Sequence, residues 1–479
     1  MGKSLKNQAQ VIAVTEIVRH GEQLILPEDM SLPQAMDLLE RRAEYEKEIT
    51  AFREEYDVLP YDGAHALAEV LINKFGWAPA TSTPGFFGDT PPQLINVETA
   101  PNVFASVPWG RFSLPNIKGH IETSVAMKEG RFTFAIDANV LRMNEETVRS
   151  LFAEVREYLK TGSIYKGKAI KIRFLDNDGT PLRMPEPKFL DTSKINPDGL
   201  IYAADVQASV ETNLFTPVSR AADCIANGIP VKRGILLSGT FGTGKTMAAT
   251  VASRLAVDAG ITYVYVPRAN ELSHAIEFAK QYQSPACVIF CEDIDREVNG
   301  DRSVAMDDIL NILDGIDTKN ANIITVLTTN DLDSINAAML RPGRLDAVIH
   351  VTPPDAAAVE KLVRLYGGAA IDADTDLSGV GVALDGTIPA VIAEVVKRAK
   401  LSQLRLQPVG SKVEKISAEA LTEAAKTMAA QITLLKARSE AKVVVPTIDG
   451  ILKGYIADGA SEAGDRVGKF ATKVGVKGV

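Results

Sequence analysis

An α/β fold built on a doubly wound parallel sheet is predicted for the middle of this sequence, with an α+β module before it and a helical stretch after it. Three observations carry that expectation. Within residues 191–354, short apolar runs at 234–238, 262–266, 286–291, 323–328 and 347–351 alternate with helix-like segments, the order a parallel sheet requires. The first run leads into the glycine-rich loop Gly239-Thr240-Phe241-Gly242-Thr243-Gly244-Lys245-Thr246, and a small apolar stretch at 247–256 without Gly or Pro follows it as a helix should. From about residue 355 the apolar spacing becomes helical, at 356–366, 389–404 and 418–436.

The module before the sheet spans residues 1–190. Ser31 is placed to cap a long charged helix over 32–56, with Leu38, Leu39 and Phe52 among its apolar positions. A second helix is expected over 63–75, with Leu67, Val70 and Leu71 on one face. Residues 76–92 are rich in Pro, Gly, Ser and Thr and read as a loop. Its Trp77, Phe86 and Phe87 are read first as anchors onto their own domain and second as partner contacts. Strands follow at 94–97, 103–107, 117–127 and 131–136, the last two joined by a hairpin at Glu129-Gly130. Then come a helix over 144–160, a strand over 169–175, a turn at Asn177-Asp178-Gly179 and a proline-rich linker over 181–197. No motif in this module points to a chemistry. Residues 355–440 form the helical part, and 441–479, rich in Gly, Ala and Lys, read as a loosely packed tail.

Bulk properties narrow the function. At 479 residues the chain is too long for one core. A net charge of −9 argues against a general nucleic-acid coat. Three cysteines cannot build a disulfide framework, and Cys287 and Cys291, on one strand face, read as core thiols. The five histidines show no ligand spacing. No apolar run approaches the roughly 18 residues of a membrane span, and the start MGKSLKNQAQ lacks a long apolar core. A cytoplasmic protein with no membrane partner is expected.

The glycine loop carries the sharpest chemical statement. Its glycines let backbone N–H groups turn onto phosphate oxygens, and the following helix N-terminus adds partial positive charge. Lys245 is suited to reach the β- and γ-phosphates, and the Thr246 hydroxyl to ligate magnesium. The plain alternative, a glycine turn with an incidental lysine, lacks a reason for the strand before it and the helix after it. Hydrolysis needs more: a held metal and a water aimed at the γ-phosphate. The apolar strand 288–291 ends in Glu292-Asp293, at the carboxyl end where such sheets place ligands. Asn330, closing the run Thr328-Thr329-Asn330, has donor and acceptor capacity to orient a water; a loop asparagine capping a helix is the rival reading. Arg341 and Arg344 offer fixed, always-charged forks, or plain surface ion pairs.

Together the segments GILLSGTFGTGKT, VIFCEDID, MDDILNILDGID, VLTTN and AMLRPGRLD resemble the AAA family of hexameric ATPases within the AAA+ superfamily, over about residues 200–400. The resemblance implies ATP and Mg²⁺ as cofactors, an AAA+ sheet domain with a small helical lid after Asp355, and a homo-hexameric ring. It makes Lys245 and Thr246 the Walker A pair, Glu292 and Asp293 the Walker B pair, Asn330 the first sensor, and Arg341 and Arg344 fingers offered to a neighbour's ATP. Asp205 completes the set of residues expected against the nucleotide.

Three departures qualify the likeness. Walker B reads Glu292-Asp293 where the family usually has Asp-Glu. Residues 270–281 leave room for one helix and no aromatic pore loop, with Tyr282 expected to pack on the sheet. Ala347 stands where a further arginine is common. The first two features are similar to the mitochondrial Rieske-protein translocase branch. The expected function is an ATP-driven ring that remodels, unfolds or translocates a protein client, recognised directly or through an adaptor by the first module. The rivals are a nucleic-acid ATPase of the helicase-loader type and a nucleotide-gated assembly with slow turnover.

Overall fold

The chain is seen in a computed structural model that describes residues 18–20, 23–27, 29–86, 88–295, 321–332, 344–429 and 433. It divides into two compact units. The first takes in the described residues up to 197, with 209–238 and 246–349; the second takes in 198–208, 239–245 and those from 350 onward.

The first unit opens with a short antiparallel pair, β1 (Val18–His20) and β2 (Gln23–Ile25). The helix Leu32–Lys47 follows, with Ser31 and Gln34 forming a reciprocal capping box. The helix expected over 32–56 therefore stops nine residues early, because 49–56 is strand β3 (Ile49–Tyr56). Thr50, Phe52, Glu54 and Tyr56 turn inward in strict alternation, and the strand pairs along its whole length with β9. A period of two satisfies an inward face that a helix would have scattered.

Next come the helix Pro60–Phe75, then β4 (Ala80–Thr81), β5 (Gln93–Ala100), β6 (Val103–Trp109), β7 (Arg111–Phe112), β8 (Gly119–Lys128), β9 (Arg131–Leu141) and the helix Glu145–Gly162. The five-stranded sheet runs β3-β9-β8-β7-β4, while β5 and β6 form a separate hairpin. Glu129 (φ 51°) and Gly130 (φ 81°) make the two-residue turn joining β8 to β9, as the sequence predicts. Trp77 and Phe86, expected to anchor their loop, are 59 % and 96 % exposed. Phe87 lies outside the described residues. Asp62, fully buried, accepts from Ser163 Oγ at 2.6 Å and from Ile164 N at 2.9 Å, tying the two long helices together. Its burial pushes its carboxyl up to about 6.

The large sheet adds β10 (Ala169–Lys171), β11 (Lys188–Phe189), β12 (Arg233–Ser238), β13 (Thr262–Val266), β14 (Cys287–Cys291), β15 (Ile323–Thr329) and β16 (Ala347–His350), in the order β11-β10-β13-β14-β15-β12-β16. The neighbours β10-β13, β13-β14, β14-β15 and β15-β12 are parallel, and β11 is antiparallel on β10. The strand expected at 169–175 is thus shorter and belongs to this sheet, and the expected linker holds its edge strand. Neither addition is long enough to announce its partner from sequence. The central strands β14 and β15 are buried at every position, the mark of a sheet covered on both faces. One continuous core joins Tyr56, Phe134 and Phe152 to Val264, Phe278 and Ile289.

The second unit is helical after 350. The helix Ala356–Gly367 is capped by Asp355, which accepts from Ala358 N at 2.8 Å; Ser378–Ala383, Pro389–Arg405 and Ala418–Thr427 follow. Val359, Leu362, Leu377, Ile392, Val395 and Leu421 fill its core. The expected tail, 441–479, lies outside the described residues. No described helix is long and apolar enough to cross a membrane.

Candidate nucleotide site

The glycine loop is shaped by its backbone. Gly239 sits at φ 145°, and a Cβ there would lie 2.4 Å from the carbonyl oxygen of Val351, so only glycine fits. Gly244 sits at φ 104° immediately before the helix Lys245–Asp258, and its carbonyl accepts from Tyr202 Oη at 2.8 Å. Lys245 Nζ turns back over the loop, donating to Gly239 O at 2.8 Å and Thr240 O at 3.0 Å, while Thr243 Oγ1 donates to Thr240 O at 3.0 Å. Thr240 Oγ1 is buried without a hydrogen-bond partner, and Phe241 is largely exposed. A buried ammonium resting on carbonyl dipoles, next to an orphaned hydroxyl and a helix N-terminus, fits an anion such as a phosphate group. Asp205 is exposed in the first turn of the helix Ala204–Val210, three residues beyond Tyr202.

The acidic residues are gathered at the carboxyl ends of β13, β14 and β15. Thr246 Oγ1 donates to Glu292 Oε1 at 2.6 Å, and Tyr265 Oη donates to Glu292 Oε2 at 3.0 Å. Burial and the Glu292 carboxylate push the Tyr265 phenol up to about 12, so it remains a donor at neutral pH. A cavity of about 320 Å³ opens beside them, lined in part by Thr246, Thr250, Tyr263, Tyr265, Phe290 and Glu292.

Asp293 holds a left-handed backbone at φ 46°. Its N–H donates to Thr328 Oγ1 at 2.9 Å, and Ile294 N donates to Thr328 O at 3.0 Å, so the turn is stapled to β15. Asn330 Nδ2 donates to Asp293 Oδ1 at 2.9 Å. Asp295 Oδ1 accepts from Thr329 Oγ1 at 3.0 Å and Asn330 N at 3.1 Å, which fixes the asparagine's backbone. The structure therefore brings Thr246 to Glu292 and Asn330 to Asp293. Sequence reasoning overlooked Tyr202, Tyr265, Thr328 and Asp295. Thr328 and Asp295 stood inside the quoted motifs and could have been weighed there, whereas the two tyrosines carried no local signal. Aspartate is among the non-glycine residues enriched in that left-handed region.

Arg344 lies at the other end of the sheet. Asp346 N donates to Gly234 O at 2.7 Å and Gly234 N to Asp346 Oδ2 at 2.9 Å, pinning 344–346 to the start of β12. Ser238, at the end of β12 nearest the carboxylates, is four residues further, roughly 13 Å along a strand. Arg341 lies outside the described residues, as does the segment 306–317. Between β13 and β14 the chain forms the helix Leu272–Ala279 flanked by single helical turns, and Tyr282 is buried against Phe278, 5.1 Å between ring centroids.

The Thr246 hydroxyl and Glu292 carboxylate are hard oxygen donors within 2.6 Å of each other. They fit magnesium, which takes one or two protein ligands and completes its shell with phosphate and water. Residues 235–353 match the family described as "ATPase family associated with various cellular activities (AAA)". The chain is 31 % identical over 198 residues to the "ATP-dependent zinc metalloprotease FtsH 2" of Symbiobacterium thermophilum, covering 38 % of this chain and 34 % of that protein. It is 31 % identical over 202 residues to the FtsH of Mycobacterium tuberculosis (38 % and 26 %), and 29 % over 197 residues to "Protein SAV" of Sulfolobus acidocaldarius (37 % and 25 %). It thus spans a quarter to a third of the length of these relatives. The matching segment, 235–353, which holds the glycine loop, the acidic pair and Asn330 in its sequence, is a domain of the AAA family of ATPases.

Proposed function

We propose that this chain binds ATP with magnesium, hydrolyses it within a homo-hexameric ring, and uses the turnover to remodel or move a protein client. The observation that carries the proposal is the Asn330–Asp293 contact beside the Thr246–Glu292 pair. The backbone of the loop binds the phosphates and Lys245 neutralises them. Magnesium, when bound, adds charge stabilisation on the phosphates. Asp293 accepts from the attacking water and Asn330 holds that carboxylate in line, so the two share the positioning of the nucleophile. Asp205, exposed near Tyr202, is the assigned contact on the nucleoside side.

The site of Arg344 at the far end of β12 supports a role on a neighbouring subunit's ATP, and Arg341 is assigned the same role by family resemblance. The packed helix between β13 and β14 supports a client handled folded, in the manner of the Rieske-protein translocase branch. The module before the sheet is assigned to the client or an adaptor, with the exposed Trp77 and Phe86 as contacts. The zinc metalloprotease activity printed in the relatives' names is not part of this proposal. A cytoplasmic location remains part of the proposal.

Titration with a fluorescent ATP analogue and phosphate release over time test the reading together. Saturable, magnesium-dependent binding with steady turnover is expected. Binding without turnover would replace the motor with a nucleotide-gated assembly, and stimulation by DNA would favour a nucleic-acid ATPase. Arg344→Ala subunits mixed into wild-type rings should poison turnover; simple dilution would remove action in trans.

A further inference from the structure

We propose that Tyr265 is a positioning residue for Glu292, compensating for the longer acidic side chain at the metal-side position. The proposal rests on the reading of Glu292 as the carboxylate that faces magnesium. Glutamate has one more rotatable bond than the aspartate usual there, so its carboxylate can swing unless something holds it. Tyr265 supplies the hold. Its Oη donates to Oε2 at 3.0 Å, which leaves Oε1 for Thr246 Oγ1 at 2.6 Å. Each oxygen of the carboxylate thus has its own partner, and only Oε1 is turned to the metal-binding hydroxyl.

The tyrosine is itself fixed. Tyr265 and Phe290 are register partners on β13 and β14, and their rings stack at 5.2 Å with an interplanar angle of 26°. Lys171, its register partner on β10, places its ammonium 5.0 Å from the ring centroid. Ring packing and a cation over the ring set the phenol, and the phenol sets the carboxylate. An aspartate at 292 would be one methylene too short to take both hydroxyls at these distances.

The test is a cycle of Tyr265→Phe and Glu292→Asp, read by the magnesium concentration that half-saturates binding of a fluorescent ADP analogue, with affinity in EDTA measured alongside. Phenylalanine keeps the ring stack, so circular dichroism and melting should match wild type. Tyr265→Phe should raise the magnesium requirement about tenfold, the scale of one hydrogen bond to a charged group, and leave affinity in EDTA unchanged. In the Glu292→Asp background the same substitution should add nothing. An unchanged magnesium requirement in Tyr265→Phe would overturn the proposal, as would an equal shift in both backgrounds. An equal loss of affinity in EDTA would make the tyrosine structural. If wild type itself binds nucleotide without regard to magnesium, the site reading fails first, and the two failures are told apart by that control.

Discussion

In the loop 239–245 the polar contacts run from side chains to the chain's own backbone: Lys245 to two carbonyls, Thr243 to one, Tyr202 to that of Gly244. In the acidic cluster they run from side chain to side chain, or from backbone to side chain, across separate elements: Thr246 and Tyr265 to Glu292, Asn330 to Asp293, Asp293 N to Thr328. The loop depends on dihedral angles that a few consecutive residues set. The cluster depends on register, because Tyr265, Glu292 and Thr328 meet only if β13, β14 and β15 align as they do. A binding cradle can therefore be local, whereas a reacting constellation must be assembled.

Four variants probe that contrast. Asp293→Asn should lower phosphate release about 10²- to 10⁴-fold, the usual share of a general base, while leaving nucleotide affinity as it was. A matching fall in affinity would mean that the cluster also binds. Lys245→Ala should act on the other side, weakening affinity roughly 30- to 150-fold through the loss of a charge-assisted phosphate contact of about 2–3 kcal/mol. Fluorescent-nucleotide titration reads it, and unchanged affinity would break the assignment of the loop.

Thr328→Val removes the acceptor for the Asp293 N–H and should cost about 1–3 kcal/mol of stability by urea unfolding, with turnover falling alongside. A variant of full stability would show that the turn does not need its staple. The smallest effect is expected from Glu292→Asp combined with Asp293→Glu. Restoring the commoner order puts glutamate at φ 46° and should lower stability by about 1 kcal/mol without raising turnover. Faster hydrolysis in that double variant would show that chain length outweighs backbone conformation.

Legibility followed the same division. The glycine loop and the five sheet strands over 233–350 stood in the sequence because apolar runs and glycine spacing are local signals. The N-terminal module was less transparent. Glu and Arg in 49–56 prolong the charged pattern of the helix before it and mask the alternation of Thr50, Phe52, Glu54 and Tyr56 that pairing with β9 uses. The three-residue β10 could be seen as a strand, but its place beside β13 could not, since so short a strand carries no partner information.

By itself, the sequence determined a glycine-rich loop between strand and helix, an acidic strand end, an asparagine closing the next apolar run and the likeness to AAA ATPases that they compose. Each follows from residue types at fixed spacing. Only the tertiary structure decided that Tyr265 holds Glu292, that Asp293 occupies a left-handed turn on Thr328, and that Arg344 sits at the opposite end of the sheet. The reason is physical. Parallel register brings together residues that stand far apart in the chain, and that alignment is set by burial over the whole sheet rather than by any residue in the site.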